Sequence, residues 1–251
     1  MTFPRLFRLK QDLEGPRVVD IPAAVHDAMR SLGLQNRVTP GRSVAITAGS
    51  RGIANIGGIT RAVVDEMKSL GLRPFIVPAM GSHGGATAEG QRTILAHYGI
   101  TETTMACPIR SSMEVVEIGK SKGTPVFCDR NAWEADHIVV VGWINPHPDF
   151  SGEIESGLFK MMAVGLGKQQ GAEHYHRAGQ HYSYAEIFPL VGRAVLDTGH
   201  VLCGLGILQN GYGETAKVQA LLPPDFESGE KALLREAKAW KARLPFDAID
   251  L

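Results

Sequence analysis

The sequence has few cysteines, no excess of either charge and no long apolar run, and each shortage removes a class of protein. Its three cysteines, Cys107, Cys128 and Cys203, are far apart and odd in number. That excludes a disulfide framework, a CxxC redox pair and a cysteine ligand set for an iron–sulfur cluster, and it fits a reducing cytoplasm. Lys plus Arg equals Asp plus Glu at 26 each, so no global field points to nucleic acid or an anionic membrane. The longest greasy run, HIVVVGWI, is far too short to span a bilayer. The opening MTFPRLFRLKQDLEG holds no apolar segment of signal-peptide length. A GxGxxG fingerprint, a phosphate-cradling GxxxxGKS/T loop, a GxSxG elbow and an HExxH helix are all missing too. The expectation is a soluble cytoplasmic protein that binds neither nucleic acid nor membrane.

What is present is an alternation of short β-branched runs with helical patterns, the signature of an α/β fold with a mainly parallel sheet flanked by helices. At 251 residues the chain can bury a substantial core. Ser43 to Thr47, Pro74 to Pro78, His137 to Gly142 and Val201 to Leu208 read as strands. The third is continuously apolar, which predicts a central strand buried on both faces. Ile56 to Leu70, Thr87 to His97, Gly157 to Gly167, Tyr184 to Leu196 and Glu227 to Arg243 read as helices. Val115 to Ile118 and Thr124 to Cys128 read as a short antiparallel pair around a Lys-Gly turn, and LCGLGILQNGYGE as a tight hairpin or bulge. The closing PFDAIDL has the alternation of a strand beginning. It predicts either a last strand pairing with the sheet or the junction to a further domain.

Three strand-to-helix turns carry reactive side chains. AGSRGIANIGG presents Arg51, whose guanidinium could hold a carboxylate by two parallel hydrogen bonds; the plainer reading is a surface arginine. PAMGSHGGATAEG presents His83 among glycines at 81, 84 and 85, which let backbone come close to a ligand; the plainer reading is a histidine bracing a turn. GWINPHPDFSGEIESGLFK presents His147 between two prolines, a rigid placement that suits general-base work. Lys160 then follows on an apolar helix, as a functional amine or as a lysine snorkelling to solvent. Farther on, His174, His176 and His181 crowd one short span without the i, i+4 spacing of a helical metal site.

Taken together, these segments resemble the amino-terminal domain of the nickel-dependent lactate racemase family. AGSRGIANIGGITRAVVDEM is similar to the family's substrate-arginine segment, which implies that Arg51 binds substrate carboxylate. VPAMGSHGGATAEGQRTILAHYGI resembles its strand, Gly-x-His turn and helix, which implies a catalytic role for His83. INPHPDFSGEIESGLFKMMAVGLG resembles the region with the second catalytic histidine and the cofactor-bearing lysine, which implies His147 and Lys160. The spacer from His147 to Lys160 is a few residues longer than the family's, and EIESGLFK replaces its Gly-Gly-Arg-Lys run. Counting on from Lys160 puts the nickel ligand at His176, with His174 as the rival.

The resemblance implies a racemase or epimerase of a 2-hydroxy acid, with lactate and a larger acid such as a sugar acid equally open. Its cofactor would be a covalently attached nickel-pincer nucleotide, a nickel pyridinium dithiocarboxylate mononucleotide, that takes the α-hydrogen as hydride and returns it. It also implies dependence on cofactor-biosynthesis proteins and on a carboxyl-terminal domain beyond residues 1–251, which would themselves form the amino-terminal, cofactor-binding domain. Two other readings stand beside it. One is a zinc hydrolase built on His83, His147, His174 and His176. The other is a non-catalytic anion-binding domain using Arg51 and the glycine turns.

Overall fold

In the computed structural model, which describes residues 8–13, 15–178 and 183–246, strands β1 (Ser43–Ala48), β2 (Arg73–Pro78), β5 (His137–Trp143), β6 (Val201–Gln209) and β7 (Thr215–Leu221) form one sheet. Its order is β2-β1-β5-β6-β7. The first four strands are parallel and β7 returns antiparallel to β6. The expected mainly parallel sheet is therefore present. The strand read as central is central: Ile138 and Val140 are buried in one hydrophobic layer, Val139 and Val141 in the other. Each such side chain, fully removed from water, contributes about 1.5–3 kcal/mol.

Helices cover both faces. Ile21–Arg30 and Ile56–Ser69 lie in one layer through Val25, Met29, Ile59, Val63 and Met67. The other layer takes Phe159, Met162 and Leu166, the Tyr184–Leu196 helix and the Phe226–Trp240 helix. A separate hairpin of β3 (Val115–Ser121) and β4 (Thr124–Asp129) turns at Lys122 and Gly123. Both turn residues have positive φ, as a two-residue hairpin loop requires. LCGLGILQNGYGE is likewise a hairpin, in which the Asn210 side-chain oxygen accepts from the N–H groups of Tyr212 and Glu214.

The region read as one helix from Gly157 to Gly167 is more broken. Leu158–Lys160 is a single α turn, Met161–Gly165 is π-helical, and α-helix resumes over Leu166–Ala178, with Lys168 at φ 54° and ψ −156°. Of the closing PFDAIDL, only Pro245 and Phe246 lie within the described residues, so its strand expectation falls outside them.

The parallel pairing has one consequence for function. Ala48 lies opposite Pro78, and β5 runs alongside in the same direction, so the segments leaving β1, β2 and β5 emerge at one sheet edge. Those segments carry Arg51, His83 and His147.

Candidate active site

At that edge a cavity of about 490 Å³ is lined by Arg51, His83, His147 and Lys160, together with Ser50, Asn145, Trp143 and Asp149. Four residues spread over more than a hundred positions thus meet in one concave space at the carboxyl ends of parallel strands, where α/β sheets place ligands. His174 and His176 do not line it.

Arg51 is exposed, and its guanidinium has no hydrogen bond or ion pair to any described residue. His83 follows β2 after a tight turn. Its Nδ1 lies 2.5 Å from Ser50 Oγ, and the Ser50 carbonyl accepts from Tyr98 Oη at 3.0 Å. Partial burial, then the positive charges of Arg51 and Lys160, hold the imidazole below its ordinary pKa.

Two glycines of this turn are required by the protein's own packing, beside any ligand that approaches, while Gly85 has open space around it. A Cβ on Gly81 (φ 59°) would stand 2.9 Å from Val164 Cγ1, and one on Gly84 would stand 2.6 Å from the Gly90 carbonyl carbon. What comes close is the protein's own π-helical turn and the start of the following helix. The turn is braced from below by Gln91, fully buried, whose amide donates to the carbonyls of Gly81 (2.9 Å) and His83 (3.3 Å). Gln91 Oε1 in turn accepts from Lys168, which is paired at 3.0 Å with Asp129 and also donates to the Pro78 carbonyl.

His147 sits in a loop closed by the backbone hydrogen bond from Asn145 N–H to the Ser156 carbonyl, 3.0 Å. Its ring stacks on Phe150 at 4.4 Å, and its Nδ1 accepts from the Asp149 N–H at 3.2 Å. An accepting Nδ1 places the proton of the neutral ring on Nε2. Partial burial and the Lys160 charge lower its pKa, while Asp149 and Glu155 pull upward.

Lys160 ends the single α turn before the π turn. Its amine meets no hydrogen-bonding or ionic partner among the described residues and lies 5.6 Å from the centroid of the Phe188 ring. Burial, then Arg51, depresses its pKa, against the pull of Asp149. A lysine so held is closer to a nucleophilic free amine than a solvated one.

His176 is exposed on the Leu166–Ala178 helix, with Nδ1 2.6 Å from Tyr184 Oη. Tyr184 stacks on Phe188 and approaches Phe150, so one aromatic cluster separates His176 from His147. His174 Nδ1 instead meets the Gln170 carbonyl at 3.0 Å. Among the described residues no three His, Cys, Asp or Glu side chains are grouped to hold a metal, so the four histidines of the zinc alternative are not gathered. His181 lies outside the described residues.

Residues 11–186 match the family described as the lactate racemase N-terminal domain. The chain belongs to that family. Among solved structures, this lactate racemase N-terminal domain is similar to the lactate racemase apoprotein from Thermoanaerobacterium thermosaccharolyticum, with a TM-score of 0.61 and 16% identity. The alignment covers 92% of this chain and 60% of that one, so the domain spans well under two thirds of that protein's length. At that identity the likeness is one of fold. No curated protein matches the chain. No helix among the described residues is long and apolar enough to cross a membrane.

Several contributors to the site carried no motif. Ser50 is an ordinary residue beside Arg51. Gln91 and Glu230 are polar side chains on helix faces that pack inward, and Glu155 lies in the irregular loop before Lys160, where no pattern marks it. Glu230 shares its helix face with Phe226, Leu233, Leu234 and Ala237, all buried.

Proposed function

We propose that this domain is the cofactor-binding part of a 2-hydroxy acid racemase or epimerase that uses a nickel-pincer nucleotide. The observation that supports this most is the shared cavity of Arg51, His83, His147 and Lys160. Arg51, free of competing partners, would grip the substrate carboxylate with two parallel hydrogen bonds. His83 and His147 would exchange the hydroxyl proton. Both have pKa values held below the ordinary histidine range, so both rings are neutral at pH 7, His83 able to accept the proton and His147 placed to donate one. They are not equivalent: Nε2 of neutral His147 carries a proton, whereas His83 can present either tautomer, because the Ser50 hydroxyl can donate or accept.

The residues fit the cofactor's tether, since Lys160 offers a half-buried amine, unpartnered among the described residues, in the cavity wall. The nickel ligand expected on the helix beyond Lys160, His176 through Nε2 with His174 the alternative, does not line this cavity, so the tether is the better supported of the two assignments. When bound, the group supplies a reversible hydride acceptor, so no net redox change and no external nicotinamide are needed. We further propose a cytoplasmic enzyme, consistent with three buried, unpaired cysteines, that depends on cofactor-biosynthesis proteins and a further domain. Intact mass and metal analysis of protein made alongside that biosynthetic machinery test the reading. A nickel-containing adduct lost in Lys160→Ala supports it, and an unmodified chain overturns it. Assay of the full-length enzyme on a panel of chiral 2-hydroxy acids then identifies the substrate.

A further inference from the structure

We infer that the Phe226–Trp240 helix is the positioning element of this site, with Glu230 and Lys238 as positioning residues for Lys160 and His147. The inference rests on the functional reading above for what the two segments do, but its geometry is independent of it. Glu230 is fully buried, and its Oε2 accepts from the N–H groups of Leu158 (2.8 Å) and Phe159 (3.1 Å). These are the first two residues of the turn that ends in Lys160, whose N–H groups have no partner within the helix. Gly157 is shaped to the same carboxyl: a Cβ there would stand 2.4 Å from Glu230 Oε1.

Eight residues on, about 12 Å along the same helix, Lys238 Nζ pairs with Glu155 at 2.6 Å and donates to the Gly152 carbonyl at 3.2 Å. Glu155, also buried, accepts from the backbone N–H of His147 at 2.7 Å and of Gly152 at 2.9 Å. One rigid helix therefore grips the Lys160 turn directly and the His147 loop through a single buried carboxylate. The spacing between amine and imidazole is set by the helix rather than by the longer loop that joins them. A buried acid with no ionic partner among the described residues is an expensive way to fill a core, and here both of its hydrogen bonds end on the lysine-bearing turn.

The test uses the chain as it stands, without nickel or cofactor. Acetic anhydride labelling of Lys160, read on its peptide by mass spectrometry, reports the amine; imidazole proton resonances report His83 and His147. Glu230→Ala is expected to change the Lys160 labelling rate by about threefold or more. Glu230→Gln is expected to restore it at neutral pH, because an amide oxygen accepts the same two bonds. Lys238→Met is expected to shift the His147 titration and leave that of His83 unchanged. A folded Glu230→Ala with wild-type labelling overturns the inference, as does a Lys238→Met that moves both histidines alike or neither. Should Glu230→Ala fail to fold, the Lys238 arm decides, since that side chain is partly exposed. Failure of the racemase reading would appear instead as a Lys160 that never acquires an adduct, with these readouts intact.

Discussion

Ser50 Oγ and His83 Nδ1 stand 2.5 Å apart at the head of the cavity, tying the arginine turn to the histidine turn. The contact engages Nδ1 and leaves Nε2 without a hydrogen-bond partner among the described residues. Ser50→Ala removes one hydrogen bond, worth about 1 kcal/mol, from a side chain that carries little of the fold. If the domain serves the proposed racemase, racemisation by the loaded enzyme should fall about fivefold to tenfold, with the thermal midpoint lowered by no more than about 2–4 °C. A drop in the midpoint comparable to that of a core mutant would mean that the contact braces the fold instead.

Arg51 has no ionic partner among the described residues to lose, so its replacement should leave the fold intact and act on substrate alone. Arg51→Lys keeps the charge but not the planar fork. An increase in KM of about tenfold or more, with kcat changed less, is expected from steady-state kinetics on the full-length enzyme. Equal losses in kcat and kcat/KM would place Arg51 on the transition state and not on the carboxylate of the bound substrate.

Much of this was legible in advance for a simple reason: the cavity is built from turns that follow apolar strands, and apolar strands are easy to read. His137 to Gly142 announced a central strand, and a parallel neighbour on each side forces the next turn to the same edge. The supporting shell was less visible. Glu230 and Gln91 act through burial, and burial is decided by which helix face meets the sheet, a tertiary fact. The glycines at 81 and 84 show in sequence that something must approach, but not that the protein's own backbone is among what does. The break at Met161–Gly165 was hidden because it is a single π turn inside an otherwise helical run, too short to change the pattern around it.

The pH dependence follows from the two lowered histidines. Burial is the first cause for both, and Lys160 and Arg51 add to it. The neutral forms therefore persist below pH 6.5, and the acid limb of kcat/KM should lie below the ordinary histidine range. Stability takes the matching sign. A histidine whose folded pKa lies below its unfolded value leaves the unfolded state holding more protons, so stability is present above about pH 6.5 and falls as the medium is acidified through that range. Denaturant midpoints measured from pH 7.5 down to pH 5 should decline, and the decline should be shallower in His147→Gln.

Glu230 reverses that sign. Burial pushes its carboxyl up to about 8, against the pull of the Phe159 and Leu158 N–H groups. The folded state then keeps a proton that the unfolded state has already released, so this residue withdraws stability as pH rises from the ordinary glutamate range toward 8. Glu230→Gln cannot ionise and keeps a hydrogen-bond acceptor. Its thermal midpoint relative to wild type should therefore improve by several degrees between pH 6 and pH 9. A difference constant across that range would show that Glu230 ionises no differently when folded.

Lys168 carries the largest expected energy. It is fully buried, paired with equally buried Asp129, and joined through Gln91 to the carbonyls of Gly81 and His83. Burial pushes the two groups toward neutrality, the lysine down and the aspartate up, and each opposes that in the other. Lys168→Met would leave Asp129 without its counter-charge and the Gln91 and Pro78 oxygens without a donor, for a loss of about 3–5 kcal/mol in denaturant unfolding. Pairing it with Asp129→Asn removes the orphaned charge and should recover a good part of that stability. Activity should not follow, because the strut under the His83 turn is still missing. In the loaded full-length enzyme the double variant is therefore expected to be folded but impaired. Full recovery of both would make the pair a feature of stability alone.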